Sequence, residues 1–331
     1  MPATVLKLIQ LGDENTWGTA TKATAKVMGV SAADASQKDE VESTGDLGNS
    51  MPSVASVLKK TSADMTLTQR CNYQDIVYWL HGLFGVVAAS AAANTTFAYK
   101  YTAPAGTLAV VGKSYTIEIG EPAAAGYEID GAVVSELTLK GDADSGLWTC
   151  DVAFLGKTLA TGTMTPSLAI RSVDVCRFAD TTCYIDPAAG PVGTTAISAT
   201  LISAELKVGP GRHLKAFNGA VTPQAFGDDR WTGDLTLVLE FNATSKAYVD
   251  AMIAPAAIQK LIRLKATQGA TTLVRTMQID FSGTIVEGVK LFDDRDGNMT
   301  VSLKFNGVYS STAAMLSWLK FHIVNELSVM P

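Results

Sequence analysis

Gly283-Thr284-Ile285-Val286-Glu287-Gly288-Val289-Lys290-Leu291-Phe292-Asp293-Asp294-Arg295-Asp296-Gly297-Asn298-Met299-Thr300-Val301-Ser302-Leu303-Lys304-Phe305-Asn306-Gly307 is the stretch that decides the fold, because a similar block stands about 150 residues earlier. There Ile129-Asp130-Gly131 leads through Val133 to Lys140 into Gly141-Asp142-Ala143-Asp144-Ser145-Gly146, and out along Leu147 to Phe154, Leu155 and Gly156. The spacing from turn glycine to Phe-x-Gly is the same in both: Gly146, Phe154, Gly156 against Gly297, Phe305, Gly307. β-branched and apolar residues flanking a polar, glycine-closed turn predict a β-hairpin in each copy.

Walking backwards, the match continues. Residues 62–69 parallel 233–241, and each strand meets an Asn followed by a short helical pattern, 72–84 and 242–253. Two further strands follow each helix, 96–102 with 114–119 and 261–266 with 276–281. The order strand, helix, strand, strand, hairpin therefore occurs twice, which predicts a duplicated unit. We expect a mainly β protein of two tandem similar β-sandwich domains, residues 1–160 and 197–331, joined by a structured connector over 161–196.

Each expected domain extends an arm from the same corner. The first spans residues 31–61, with acidic residues, turn glycines and no sustained period; the second spans 209–230. Loops this long inside compact domains usually serve a function or a partner. Within the connector, 168–178 and 183–185 read as strands, and 318–327 reads as a last strand. Asn72 is the expected cap of the first helix with Asp75 assisting, and Thr244 or Ser245 that of the second.

Composition narrows the function classes. Charged residues make up only 18% of the 331, and the formal charge is −6, which argues against a surface built to grip phosphate backbones. Cys71, Cys150, Cys176 and Cys183 have neither metal-site spacing nor scaffold density, so they read as buried thiols, with a Cys176 to Cys183 bridge as the alternative. No secretory signal opens the chain, and assembly in a cytoplasm is expected. Residues 76–93 carry no formal charge but are only weakly apolar in their second half, which predicts a core-facing helix and an Ala-rich loop rather than a membrane span.

Catalytic patterns are missing. His81, His213 and His322 are scattered, and no nucleophile elbow, dinucleotide fingerprint or phosphate loop occurs. Gly209-Pro210-Gly211-Arg212-His213 reads as a turn. Aligning Gly297 with the sixth place of a calcium loop puts Phe292 first and Leu303 twelfth, so Asp293-Asp294-Arg295-Asp296 reads as a hairpin turn with solvated carboxylates, as do Asp142 and Asp144. No catalytic, cofactor-binding or metal-binding residue is assigned.

Against this background the chain resembles the major tail tube proteins of long-tailed, non-contractile bacteriophages, of the duplicated type. The resemblance is carried by Glu14-Asn15-Thr16-Trp17-Gly18-Thr19-Ala20, by the strand and helix from Ala63 to Gly85 with Tyr73-Gln74-Asp75-Ile76-Val77-Tyr78-Trp79-Leu80, and by Tyr184-Ile185-Asp186 through Gly193-Thr194-Thr195 to Leu206. It implies a structural virion protein: three duplicated chains close a ring of six similar domains, and rings stack into a tube. Tape measure, tail tip and terminator proteins are the partners it implies, with genomic DNA passing through the lumen unbound and no membrane contact. A tandem β-sandwich adhesin or carbohydrate-binding module is the competing reading, distinguished by an aromatic-lined pocket and a monomeric state.

Overall fold

The computed structural model describes the chain except for residues 1–6, 46–49, 54, 94, 107–109, 122–124, 198–199, 254–258, 270–272, 287–289, 296, 314 and 331. Parts of the predicted first arm and second hairpin therefore lie outside the described residues. The rest is mainly β, with two α-helices.

Strand pairing builds one long sheet through the molecule. Its strands lie in the order Val30–Thr44, Ala55–Arg70, Trp148–Gly156, the C-terminal part of Ala125–Asp142, Leu201–Gly209, Thr232–Glu240, Asn298–Gly307 and Lys290–Arg295. All of these pairings are antiparallel. Alternation gives the sheet one buried and one wet face: Trp148, Cys150, Val152 and Phe154 are buried, while Thr149, Asp151, Ala153 and Leu155 are part exposed.

A second layer covers the buried face in two parts. One runs Ala25–Lys26, Leu8–Asp13, Ser114–Glu121, the N-terminal part of Ala125–Asp142, then Thr158–Gly162. The other runs Ala196–Ile197, Thr181–Pro187, Gln259–Gln268, Arg275–Ile285, Leu319–Asn325, Phe97–Thr102 and Ser90–Ala91. Strand Ala125–Asp142 serves both layers because its register with Trp148–Gly156 slips between Val134 and Glu136, and such a bulge bends a strand. Just before the bend Gly131 adopts φ 62°, and its carbonyl accepts the Trp17 indole N–H at 2.9 Å.

Several expectations are corrected. Residues 31–61 form not an irregular loop but most of a long hairpin, Val30–Thr44 against Ala55–Arg70. Its outer part has water on both faces, so no alternation of apolar and polar residues is required of it. Within the second layer, Ser114–Glu121 takes the place that Gln259–Gln268 takes in the other part; Phe97–Thr102 is an additional strand that crosses over to pair with Leu319–Asn325. Residues 168–178 are not a strand: single bridges Asn72 to Val175 and Leu147 to Arg177 precede a short 3-10 turn at Phe178–Asp180.

The two helices have different surroundings. Every residue of Ile76–Phe84 is buried, whereas Ala243, Thr244, Lys246, Ala247 and Asp250 of Ala243–Ile253 are exposed. Both start under an asparagine. Asn72 Oδ1 accepts from the N–H groups of Gln74 and Asp75, and Asn242 Oδ1 from those of Thr244 and Ser245. Ser245 Oγ in turn accepts the Asn242 N–H at 2.8 Å, a reciprocal capping arrangement, so Asn242 rather than Thr244 or Ser245 is the cap. Asp75 does not assist Asn72: it is fully buried and accepts from Met28 N, Gln69 Nε2, Asn72 Nδ2 and Arg171 NH2.

Buried apolar side chains of both parts touch in one continuous cluster running from Ile9 to Ile323. All four cysteines are free and buried, so the Cys176 to Cys183 bridge is not formed. Cys176 instead pairs its backbone with Cys71, 2.8 Å from N to O. Among the described residues no helix is long and apolar enough to cross a membrane.

His81 lies in the first helix against the rings of Tyr99 and Tyr101, with its Nε2 unpartnered. Burial pushes its pKa down to about 4. A folded-state value below the free one means that stability is full above the free pKa and is lost as pH falls toward 4. Urea titrations from pH 7 to pH 4.5 should therefore show a loss on the order of 2 kcal/mol that is absent in His81→Phe.

Candidate assembly interface

Assembly surfaces in β proteins begin at sheet edges, where backbone N–H and C=O groups lack partners. The long sheet ends on Val30–Thr44 at one side and Lys290–Arg295 at the other, and each pairs with a single neighbour among the described residues. Between them lies a join with no loop of its own: Ala125–Asp142 pairs with Leu201–Gly209, Leu139 opposite Leu206 and Val208 opposite Leu137.

The segment 209–230 folds back over the first part of the chain. Arg212 is its anchor. The buried guanidinium donates to the carbonyls of Gly82 and Leu83 at the end of the first helix and to that of Val134, and its Nε sits 2.8 Å from Asp228 Oδ1. Charge and hydrogen bonding both favour a cation there, because the last carbonyls of a helix are unpaired and carry the negative end of its dipole. Gly112 makes room: a Cβ on it would lie 2.3 Å from the guanidinium. Nearby, Trp231 stacks on Phe84 with centroids 5.1 Å apart, Phe226 meets Trp17 at 5.9 Å, and Thr61 donates its N–H to Val221 at 3.0 Å.

Three lysines on the wet face of the long sheet are matched by acids on adjacent strands. Lys140 pairs with Asp151 and Lys207 with Glu136, both at 2.9 Å, and Lys38 pairs with Asp64. Asp34, Glu205, Asp234 and Glu240 share this face, which leaves it acidic rather than basic.

The residues weighed in the sequence fall apart in space. His81 is buried, His213 is exposed on the short hairpin His213–Lys215 with Ala225–Gly227, and His322 lies on Leu319–Asn325, its pKa lowered by burial and then by Lys100. Among the described residues no group of His, Cys, Asp or Glu could hold a metal. Asp294 Oδ1 accepts the Gly297 N–H at 2.8 Å, closing its turn. Asp142 and Asp144 are not merely solvated: Arg295 pairs with both, and although partial burial raises the pKa of Asp142, this ion pair brings it below the ordinary carboxylate value. Arg212 is the residue that sequence reasoning missed. The surrounding Gly-Pro-Gly marked a turn, and nothing local reveals a partner more than a hundred residues away.

Two strand edges open among the described residues, together with a tightly held fold-back arm, are features suited to a self-assembling structural protein. The family model for phage tail tube proteins matches residues 5–307. The chain belongs to the phage tail tube protein family, whose members are structural proteins of the virion tail that associate into a tube. No curated protein matches it.

Replacing Arg212 should expose the arm's dependence on this one cation. Arg212→Met leaves Asp228 and three carbonyls without their partner, and chemical denaturation should show a loss of about 3 kcal/mol. Arg212→Lys should recover only part of this, because an ammonium cannot span the carbonyls and Asp228 together.

Proposed function

We propose that the chain is a duplicated tube unit, residues 1–160 and 197–331 around the connector 161–196, and that three copies close into a pseudo-hexameric ring. Rings stack along their axis into the tail tube, and the genome travels through the channel into the host. One observation carries this proposal. In the long sheet, the hairpin strand, the strand before a helix and the two strands of a glycine-turn hairpin come in the same order twice, with no reversal.

The join of Ala125–Asp142 to Leu201–Gly209 is then a heterologous contact, and a heterologous contact repeated by rotation closes a ring. The same join between copies would set Lys290–Arg295 of one chain beside Val30–Thr44 of the next. No edge would remain, as in a barrel. Loop anchoring adds support: Glu14 accepts the Gly18 N–H at 2.9 Å, and Asp186, at the end of the corresponding strand, accepts the N–H groups of Gly193, Thr194 and Thr195.

The wet face of the sheet would line the channel. Lys38, Lys140 and Lys207 on it are neutralised by neighbouring acids, which reduces the cationic charge that a passing phosphate backbone meets. The tube conducts and does not catalyse. It is assembled in the host cytoplasm with a tape measure protein, tip and terminator.

Purified protein imaged by electron microscopy should form hollow tubes of about six lobes per ring; a protein that stays monomeric at high concentration would overturn the proposal. Reversing the lining charge tests the channel separately. Tubes of the triple variant Glu136→Lys, Asp151→Lys, Glu205→Lys should co-sediment with DNA at low salt and release it as salt rises, whereas wild-type tubes should not retain DNA at any salt concentration.

A further inference from the structure

A chain whose formal charge is −6 carries one outward sheet face of the opposite sign. The strands Thr181–Pro187, Gln259–Gln268, Arg275–Ile285, Leu319–Asn325 and Phe97–Thr102 turn Cys183, Leu264, Ile279, Phe321 and Tyr101 into the core, so the residues alternating with these face away from it. Register sets them in two rows. One reads Thr182, Lys265, Gln278, His322, Lys100, and the next Tyr184, Arg263, Asp280, Lys320, Thr102. With strands about 4.8 Å apart, each row is a track about 19 Å long, and the two rows lie about 7 Å from one another. Lys100, Thr102 and Thr182 are exposed, and the others, Asp280 apart, are half-buried.

Arg263, Lys265, Lys320 and Lys100 share these rows with the single carboxylate of Asp280. That carboxylate is already engaged: Arg263 donates to it at 2.6 and 2.8 Å and Gln278 at 3.0 Å. Among the described residues neither Lys100 nor Lys265 has an ion-pair partner. Their charge is felt at His322, whose pKa is lowered by burial, then by Lys100, and further by Lys265 and Arg263 against an opposing pull from Asp280. The matching row of the first part has the other sign. Gln10 precedes Glu14 by the same interval as Thr182 precedes Asp186, and next to Gln10 stand Glu118 and Glu128 where Lys265 and Gln278 stand next to Thr182. The cationic track therefore belongs to the second part and is not a by-product of building such a sheet.

The groups between the cations select the partner. Thr182, Thr102, Gln278 and Tyr184 set hydroxyl and amide groups beside the charges, able to donate and to accept. Neither row holds an aliphatic side chain that could enter a bilayer, and Tyr184 alone cannot supply the succession of aromatic platforms on which single-stranded nucleic acid stacks. We propose that this face binds an acidic polysaccharide, its carboxylates on Lys100, Lys265 and Lys320 and its hydroxyls on the threonines and Gln278. The face is complete within one chain. Its position on the outside of a tube rests on the ring reading above, in which the wet face of the long sheet takes the inside, and repetition along the tube would then multiply weak single contacts.

Oligogalacturonate is the probe, titrated into the full chain by calorimetry with neutral dextran oligomers of equal length as the control. Binding should weaken as salt rises, and dextran should not bind. In the same titration the imidazole signals of His322 should report a raised pKa, because carboxylates settling among Lys100, Lys265, Arg263 and Asp280 favour the charged ring. Lys100→Glu with Lys265→Glu should keep the wild-type denaturant midpoint and lose at least about tenfold in affinity. Wild-type protein that binds no probe, or binds it with His322 unmoved, would overturn the site whatever the double variant does, and so would undiminished binding by that variant. Duplex DNA or anionic vesicles held as tightly as oligogalacturonate at equal charge would overturn the choice of polysaccharide. Protein that binds the probe but never forms tubes would refute the ring reading and leave this face standing; tubes that bind no probe would do the reverse.

Discussion

Backbone hydrogen bonding across the middle of the long sheet is the constraint on which the rest depends. Where Ala125–Asp142 meets Leu201–Gly209, neither strand is tied to the other by a turn, and six register pairs are matched over a large sequence separation. Buried amides must find partners, so this join sets how the two parts of the chain sit on each other. It also puts Val30–Thr44 and Lys290–Arg295 at the two outer positions among the described strands.

Two buried charges reinforce that geometry. Asp75 gathers the chain near Met28, the end of Ala55–Arg70, the start of the first helix and Arg171 of the connector around one carboxylate. Arg212 fastens the later arm to the end of the same helix. Burial raises the pKa of Asp75 even against Arg171 and its other donors, and losing one partner of either pair would leave the other uncompensated. The first helix is consequently pinned at both ends. The second helix has Ser245 where the first has Asp75, and it is held by its cap and by Val249 and Tyr248 on the core.

Much of the fold was legible because hairpins are local. The Gly146 and Gly297 turns, the alternation of Trp148 to Phe154 and the Asn-led helices are written within a few residues of one another, and the period of burial follows from the pleat. The hairpin hidden in residues 31–61 was not legible, since a ribbon wet on both sides has no pattern to show. Phe97–Thr102 was found as a strand and given the wrong place. Its partner, Leu319–Asn325, is more than two hundred residues away, and the spacing of strands along a chain carries no information about which edge each one fills.

The candidate interface divides in the same manner. By itself the sequence determined a mainly β protein with a repeated hairpin block, few charges and no reactive constellation, because these depend on residue type and short-range period. Only the tertiary structure decided which strands are left at the edges, which lysines on the wet face are neutralised, and that Arg212 closes a distant helix. Those are matters of which surfaces meet, and contact between remote segments is set by the packing of the whole chain.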